Sequence, residues 1–165
     1  MIHYYFGNGK GKTSAAVGAC IRAAGSGMRC AVIQFLKNGI SGEVRPLRSL
    51  GISVLACDFA GVRFFRDMSP QEQAAVIQSH NENLRIALAS DCEFLVLDEL
   101  GDAVNKNAVD LSLVRALLAD SARELIVTGH REAPLFLECA DYITKFQCVA
   151  HPFQHGQTAR RGIEF

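Results

Sequence analysis

The chain has no surplus of charge: 17 Lys and Arg face 17 Asp and Glu across 165 residues. That argues against a nucleic-acid binder relying on bulk positive charge, and no nucleic-acid partner is expected. No apolar run reaches the roughly 18 residues needed to span a bilayer, so no membrane partner is expected either. A signal-peptide pattern is missing, because Gly7 to Lys12 interrupts any apolar core at the N-terminus. The cysteines at 20, 30, 57, 92, 139 and 148 include no C-x-x-C pair and hence no zinc signature. Most of them stand in apolar runs, which suits small buried thiols in a reduced, cytoplasmic setting. Cys57 is the exception, because it falls in a loop. No repeat, low-complexity stretch or linker divides the chain, so one domain over 1–165 is expected.

What is present begins with Phe6-Gly7-Asn8-Gly9-Lys10-Gly11-Lys12-Thr13-Ser14. A short β-prone run, Ile2 to Phe6, precedes it, and an Ala-rich segment with Ala16, Ala19, Cys20, Ala23 and Ala24 on one helical face follows. Strand, glycine-rich turn, Gly-Lys-Thr and helix together form the setting of a phosphate-binding loop. Glycines let backbone N–H groups crowd around phosphate oxygens, and the helix N-terminus adds partial positive charge. Lys12 would neutralise phosphate, and the Thr13 hydroxyl would hold Mg²⁺. The spacing departs from the strict pattern, because Phe6 holds the first glycine position and Gly7 comes one residue late.

Farther on, Cys30 to Leu36 and Ile52 to Cys57 read as strands, with a short helix over Val44 to Leu50 between them. Asp58 to Met68 carries Phe59, Phe64 and Phe65 with little periodicity. It either caps the core or lines a pocket for a flat apolar ligand. Ser69-Pro70-Gln71-Glu72 announces a helix by its capping box and its proline. Ala74, Ile77, Leu84, Ala87 and Leu88 are the expected buried stripe of that helix, with His80 and Asn81 on its surface. Phe94 to Leu97 reads as a strand ending in Asp98 and Glu99, carboxylates placed where Mg²⁺ or its water shell is usually met. A helix from Asp110 with Leu111, Val114, Leu117 and Leu118 on one side comes next. A strand over Glu124 to Thr128, a short helix over Pro134 to Cys139 and a last strand over Tyr142 to Val149 complete the reading. Strands alternating with helices predict an α/β fold, P-loop NTPase-like (RecA-like), with a mostly parallel sheet covered on both faces.

The chain resembles the P-loop ATP:corrinoid adenosyltransferases, which act on cob(I)alamin or cob(I)yrinic acid a,c-diamide. The matching pieces are Gly7 to Thr13, Val32 to Lys37, Leu95 to Leu100, Ile126 to Gly129 and Ala140-Asp141. The ending matches too, in His151-Pro152-Phe153, Gly156 and Gly162 to Phe165. The shortened loop is itself typical of that family. The resemblance implies transfer of the 5′-deoxyadenosyl group from ATP to the cobalt of a reduced corrinoid, releasing triphosphate. It assigns Gly7, Asn8, Gly9, Lys10, Gly11, Lys12, Thr13 and Ser14 to the triphosphate, and Thr13 with Glu99 and Asp98 to Mg²⁺ or Mn²⁺. Phe59 matches an aromatic that helps displace the corrinoid's lower axial ligand. Gly61 stands where relatives carry a second aromatic, and Phe64 or Phe65 is the candidate substitute. Gly129-His130-Arg131 stands where relatives have Gly-Arg after the threonine, so Arg131, displaced by one place, or else His130, is the candidate for that arginine's role. An electron donor such as a flavoprotein and a homodimer are further expectations from the family. A P-loop kinase or ATPase, and a non-catalytic nucleotide- or corrinoid-binding module, are the alternatives.

Overall fold

A computed structural model of the chain describes residues 1–57 and 64–163. The first strand, β1 (Ile2–Phe6), leads through the glycine loop into α1 (Lys12–Gly25). Then come β2 (Cys30–Gln34), α2 (Val44–Ser49), β3 (Ser53–Ala56), a 3₁₀ turn (Phe65–Asp67) and the long α3 (Pro70–Ala89). The rest is β4 (Phe94–Asp98), α4 (Leu100–Asn105), α5 (Leu111–Leu118), β5 (Glu124–Gly129), α6 (Pro134–Cys139) and β6 (Tyr142–Lys145). A short 3₁₀ turn over Pro152–His155 lies in the exposed C-terminal stretch.

The six strands form one sheet in the order β3-β2-β4-β5-β1-β6, and every pairing is parallel. Parallel pairing requires a crossover between neighbours, and the helices supply it while covering both faces. Alternation along the strands assigns each side chain to a face. Val32, Val54, Val96 and Ile126 pack with Ala16, Cys20 and Ala23 of α1 and Val44 and Leu47 of α2. Ile33, Leu95, Leu97, Leu125 and Val127 pack on the opposite side with Leu84, Val114, Leu117 and Phe136 from α3, α5 and α6. The middle strands are buried on both faces, which is why β2 and β4 are apolar almost throughout. Among the described residues, no helix is long and apolar enough to cross a membrane.

The α3 helix starts as its sequence dictates. Ser69 Oγ accepts from the Glu72 amide, and the Glu72 carboxylate accepts from the Ser69 amide. Its buried face differs from the expected one. Ala74 is exposed, Ile77 and Leu88 are half-buried, and the inward positions are Val76, His80, Asn83, Leu84 and Ala87. Val76 turns toward Cys57 and Met68, so Cys57 is buried against an apolar cluster. His80 is fully buried, contrary to the surface position expected for it, because two backbone groups satisfy its ring. The last strand is also shorter than expected: pairing with β1 ends at Lys145. Beyond it, the backbone of Phe146 and Gln147 turns onto the glycine loop.

Candidate nucleotide and metal site

The loop after β1 is moulded against the chain's own C-terminal quarter. Gly7 and Gly11 have φ of 117° and 105°, a region that side chains with a Cβ rarely enter. A Cβ on Gly7 would stand 2.3 Å from the Phe146 carbonyl oxygen, and one on Gly9 would stand 2.8 Å from Gln147 backbone. The Gly9 amide donates to Phe146 O at 2.9 Å, and Asn8 Oδ1 accepts from the Cys148 amide at 3.1 Å. Lys10 and Ser14 are exposed on the outer side of the turn.

Lys12 opens α1 and folds back over the loop. Its ammonium donates to Gly7 O at 2.8 Å and to Gly9 O at 2.9 Å. Burial lowers its pKa, and the carboxylates of Asp102, Glu99 and Asp98 oppose that shift. The ammonium is thus held by two neutral carbonyls, weaker partners for a cation than a charged phosphate oxygen.

Thr13 connects this loop to the end of β4. Its hydroxyl donates to Asp98 Oδ1 at 2.8 Å, and Thr128, at the end of β5, donates to the same oxygen at 2.8 Å. Asp98 is fully buried, and its Oδ2 accepts from Lys37 Nζ at 2.5 Å. Lys37 also lies 3.3 Å from Glu99 Oε1. Burial works against the Lys37 charge, but Asp98 and Glu99 outweigh it and hold the ammonium above its ordinary pKa. Burial pushes the Glu99 carboxyl up, with Lys37 opposing and Asp98 reinforcing. Glu99 has a φ of 62°, and its amide donates to Thr128 Oγ1 at 2.8 Å. That left-handed residue turns the chain at once from β4 into α4, a helix the sequence did not announce.

α4 brings Asp102 beside the turn after β5. Asp102 Oδ2 lies 2.9 Å from both the backbone amide and Nδ1 of His130. Burial raises the Asp102 pKa, but the two His130 donors prevail and hold it below the ordinary carboxylate value. The bond to Asp102 raises the pKa of His130 in turn, against the effect of burial. Glu99, Asp102 and His130 each bring one ligand atom within 4.8 Å of the others. Arg131 is exposed, and its carbonyl oxygen accepts from the Tyr4 hydroxyl at 2.6 Å. It is therefore His130 that meets the carboxylates.

The structure brings Lys12, Thr13, Asp98 and Glu99 together at the carboxyl ends of β1 and β4, with β5 between them. Lys37, Thr128 and Asp102 are additions that sequence reasoning gave no role, whereas His130 was the alternative to Arg131 for the family arginine. Lys37 carried a signal, being the first charged residue after an apolar strand, on the edge of the sheet where ligands bind. Asp102 carried none, since its place depends on the turn at Glu99. Phe59 and Gly61 lie outside the described residues, while Phe64 is described and 73% exposed. The oxygen donors of Thr13, Asp98 and Glu99 have the hardness that Mg²⁺ requires.

The family model described as ATP:corrinoid adenosyltransferase BtuR/CobO/CobP matches residues 1–165. A corrinoid adenosyltransferase of Pseudomonas aeruginosa is 32% identical over all of this chain and 83% of its own length. Corrinoid adenosyltransferase CobA of Salmonella typhimurium is 33% identical over all of this chain and 85% of its own. The corresponding protein of Escherichia coli K12 is 32% identical, again over all of this chain and 85% of its own. Since the match runs end to end, from the glycine loop through the Asp98-Glu99 strand to the tail, the chain belongs to the ATP:corrinoid adenosyltransferase family.

Proposed function

We propose that this chain, as a single domain, transfers the 5′-deoxyadenosyl group of ATP to the cobalt of a reduced corrinoid. In the reaction a Co(I) electron pair forms the bond to C5′, the C5′–O bond breaks, and triphosphate leaves with that bonding pair. The nucleophile belongs to the substrate, so the protein's work is positioning, charge neutralisation and exclusion of water. The observation that carries the reading is the Thr13–Asp98 hydrogen bond, which sets the loop lysine and the carboxylates around one space in a chain of this family.

Each residue then has a task. Gly7 to Ser14 form the triphosphate loop, its amides other than that of Gly9, which donates to Phe146, turning to phosphate oxygens, with Asn8 and Lys10 at the rim. Lys12 exchanges the Gly7 and Gly9 carbonyls for phosphate oxygens, placing a positive charge where negative charge builds up on the leaving group. Thr13, Asp98 and Glu99 hold Mg²⁺, which supplies further neutralisation of the triphosphate. Lys37 lies against both carboxylates, Asp98 and Glu99, and offsets their negative charge. Phe59 has the task of excluding the corrinoid's lower ligand, and His130 or Arg131 takes the family arginine's place toward the phosphates. A cytoplasmic homodimer supplied by a reducing flavoprotein, with no nucleic-acid or membrane partner, completes the reading.

The test is anaerobic incubation with ATP, Mg²⁺ and chemically reduced cobalamin, following the cobalt–carbon product by absorbance and the released phosphate species by chromatography. Adenosylcobalamin and triphosphate in equal amounts are expected. Orthophosphate release independent of corrinoid would point to an ATPase instead.

A further inference from the structure

His80 lies midway along α3, fully buried. Its Nδ1 is 2.9 Å from the Ala108 carbonyl oxygen, and its Nε2 is 3.0 Å from the Leu36 amide. A carbonyl only accepts and an amide only donates, so these partners dictate one tautomer: Nδ1 carries the hydrogen and Nε2 offers its lone pair. Burial also lowers the pKa of the ring, which favours the neutral form that the geometry demands.

The residue whose amide donates to Nε2 is unusual. Leu36 has a φ of 57°, a conformation that a side chain with a Cβ resists. On one side of it, the Phe35 amide donates to Asp98 O at 2.9 Å, a bond that continues the β2–β4 edge. On the other, Lys37 O accepts from the Cys57 amide at 3.2 Å, while Lys37 Nζ reaches Asp98 and Glu99. The left-handed turn at Leu36 therefore directs residue 37 back over the end of β4 rather than onward along β2. Without an acceptor at His80 Nε2, the Leu36 amide would be left without a partner where the turn needs it fixed.

We propose that His80 is a positioning residue, holding Leu36 in its left-handed turn and thereby setting the Lys37 ammonium between Asp98 and Glu99. The proposal rests on the functional reading above only in taking that ammonium as part of the triphosphate and metal site. α3 contributes nothing else to the site through described side chains, so His80 ties its packing to the charge balance at the end of β4.

The experiment reads Lys37 directly. Amine acylation, followed residue by residue by peptide mass spectrometry, is compared in the wild type, His80→Gln and His80→Leu. Leu is apolar and accepts no hydrogen bond. It should raise the Lys37 labelling rate about tenfold, the factor for loss of one buried hydrogen bond, and leave Lys106 unchanged. Gln, whose amide oxygen accepts, should restore most of the protection. An unchanged Lys37 rate in folded His80→Leu overturns the proposal. Should His80→Leu fail to fold, hydrogen exchange at the Leu36 amide of the wild type decides: slow exchange supports the link, and exchange at the rate of an open loop overturns it. MgATP affinity of the same proteins reports on the functional reading separately. Lys37 freed with affinity unchanged would count against the site assignment and leave the link from His80 to Lys37 standing.

Discussion

Thr13 and Asp98, 85 positions apart in sequence, share a hydrogen bond of 2.8 Å between a hydroxyl and a fully buried carboxylate. It fastens the first turn of α1 to the end of β4, and Lys37 occupies the other oxygen of the same carboxylate. Both contacts use groups that a magnesium–triphosphate at the proposed site would also engage, so binding there would exchange protein partners for ligand partners.

Replacing Asp98 by Asn should therefore disturb folding as well as metal binding. The amide keeps the shape but removes the charge facing Lys37, leaving a half-buried ammonium with Glu99 as its remaining carboxylate. Breaking a fully buried pair costs about 3–5 kcal/mol, and the partial exposure of Lys37 with its remaining contact to Glu99 puts this one at the lower end. Chemical denaturation should show a loss of that order, and a midpoint unchanged from the wild type would contradict the assigned pairing.

Lys12→Ala should cost some stability, since the Gly7 and Gly9 carbonyls that lose a donor are buried with the ammonium. ATP affinity should fall, because a charge-assisted bond to phosphate contributes about 1.5–3 kcal/mol, one to two orders of magnitude in Kd. Calorimetric titration with ATP and Mg²⁺ measures it. Equal affinities for the two proteins would remove the loop from the phosphate site.

The Asp102–His130 pair gives the free protein a stability that depends on pH from both sides. The Asp102 pKa is lowered on folding, so its contribution is present above the ordinary carboxylate range and is lost as pH falls through the lowered value. The His130 pKa is raised above its ordinary 6.5, so its contribution is complete below that and is lost as pH rises through the raised value. The pair should therefore stabilise most between those limits. The effect should be modest, because the His130 side chain is 59% exposed and screened. Thermal melts of His130→Ala and wild type from about pH 4 to 9 should differ most in that window and converge at alkaline pH. Parallel profiles would dissolve the pair.

Phe59→Ala should lose turnover that starts from Co(II) corrinoid and keep more of the turnover that starts from preformed Co(I). A bulky apolar side chain assists reduction by excluding the lower ligand and water from one face of the ring. Anaerobic assays from both oxidation states measure the difference, and equal losses would assign Phe59 to packing or orientation alone.

Much of this was legible in the residues. The Ser69–Glu72 capping box, the apolar strands and the Gly-Lys-Thr junction are local patterns, and local patterns survive in a linear reading. The misplacement of His80 has a physical cause. Periodicity counts apolar residues, and a buried imidazole is licensed by two backbone partners, Leu36 and Ala108, that no spacing reveals. The Ala74 error is of the same kind, because α3 turns Val76 toward Cys57 and Met68 over its first turns and Leu84 toward the main core farther on. Asp102 escaped notice because its meeting with His130 depends on one backbone angle, the φ of 62° at Glu99.

The glycines of the loop carry a different lesson about portability. A motif reading treats Gly7 and Gly9 as room left for a ligand, yet both sit where the Phe146–Gln147 backbone passes too close for any side chain. The cutout fits the protein's own chain. A fragment ending after α6 would keep every letter from Gly7 to Thr13 and lose the surface on which they are shaped. Grafting those letters onto another strand–helix junction would likewise transfer the spelling without the mould.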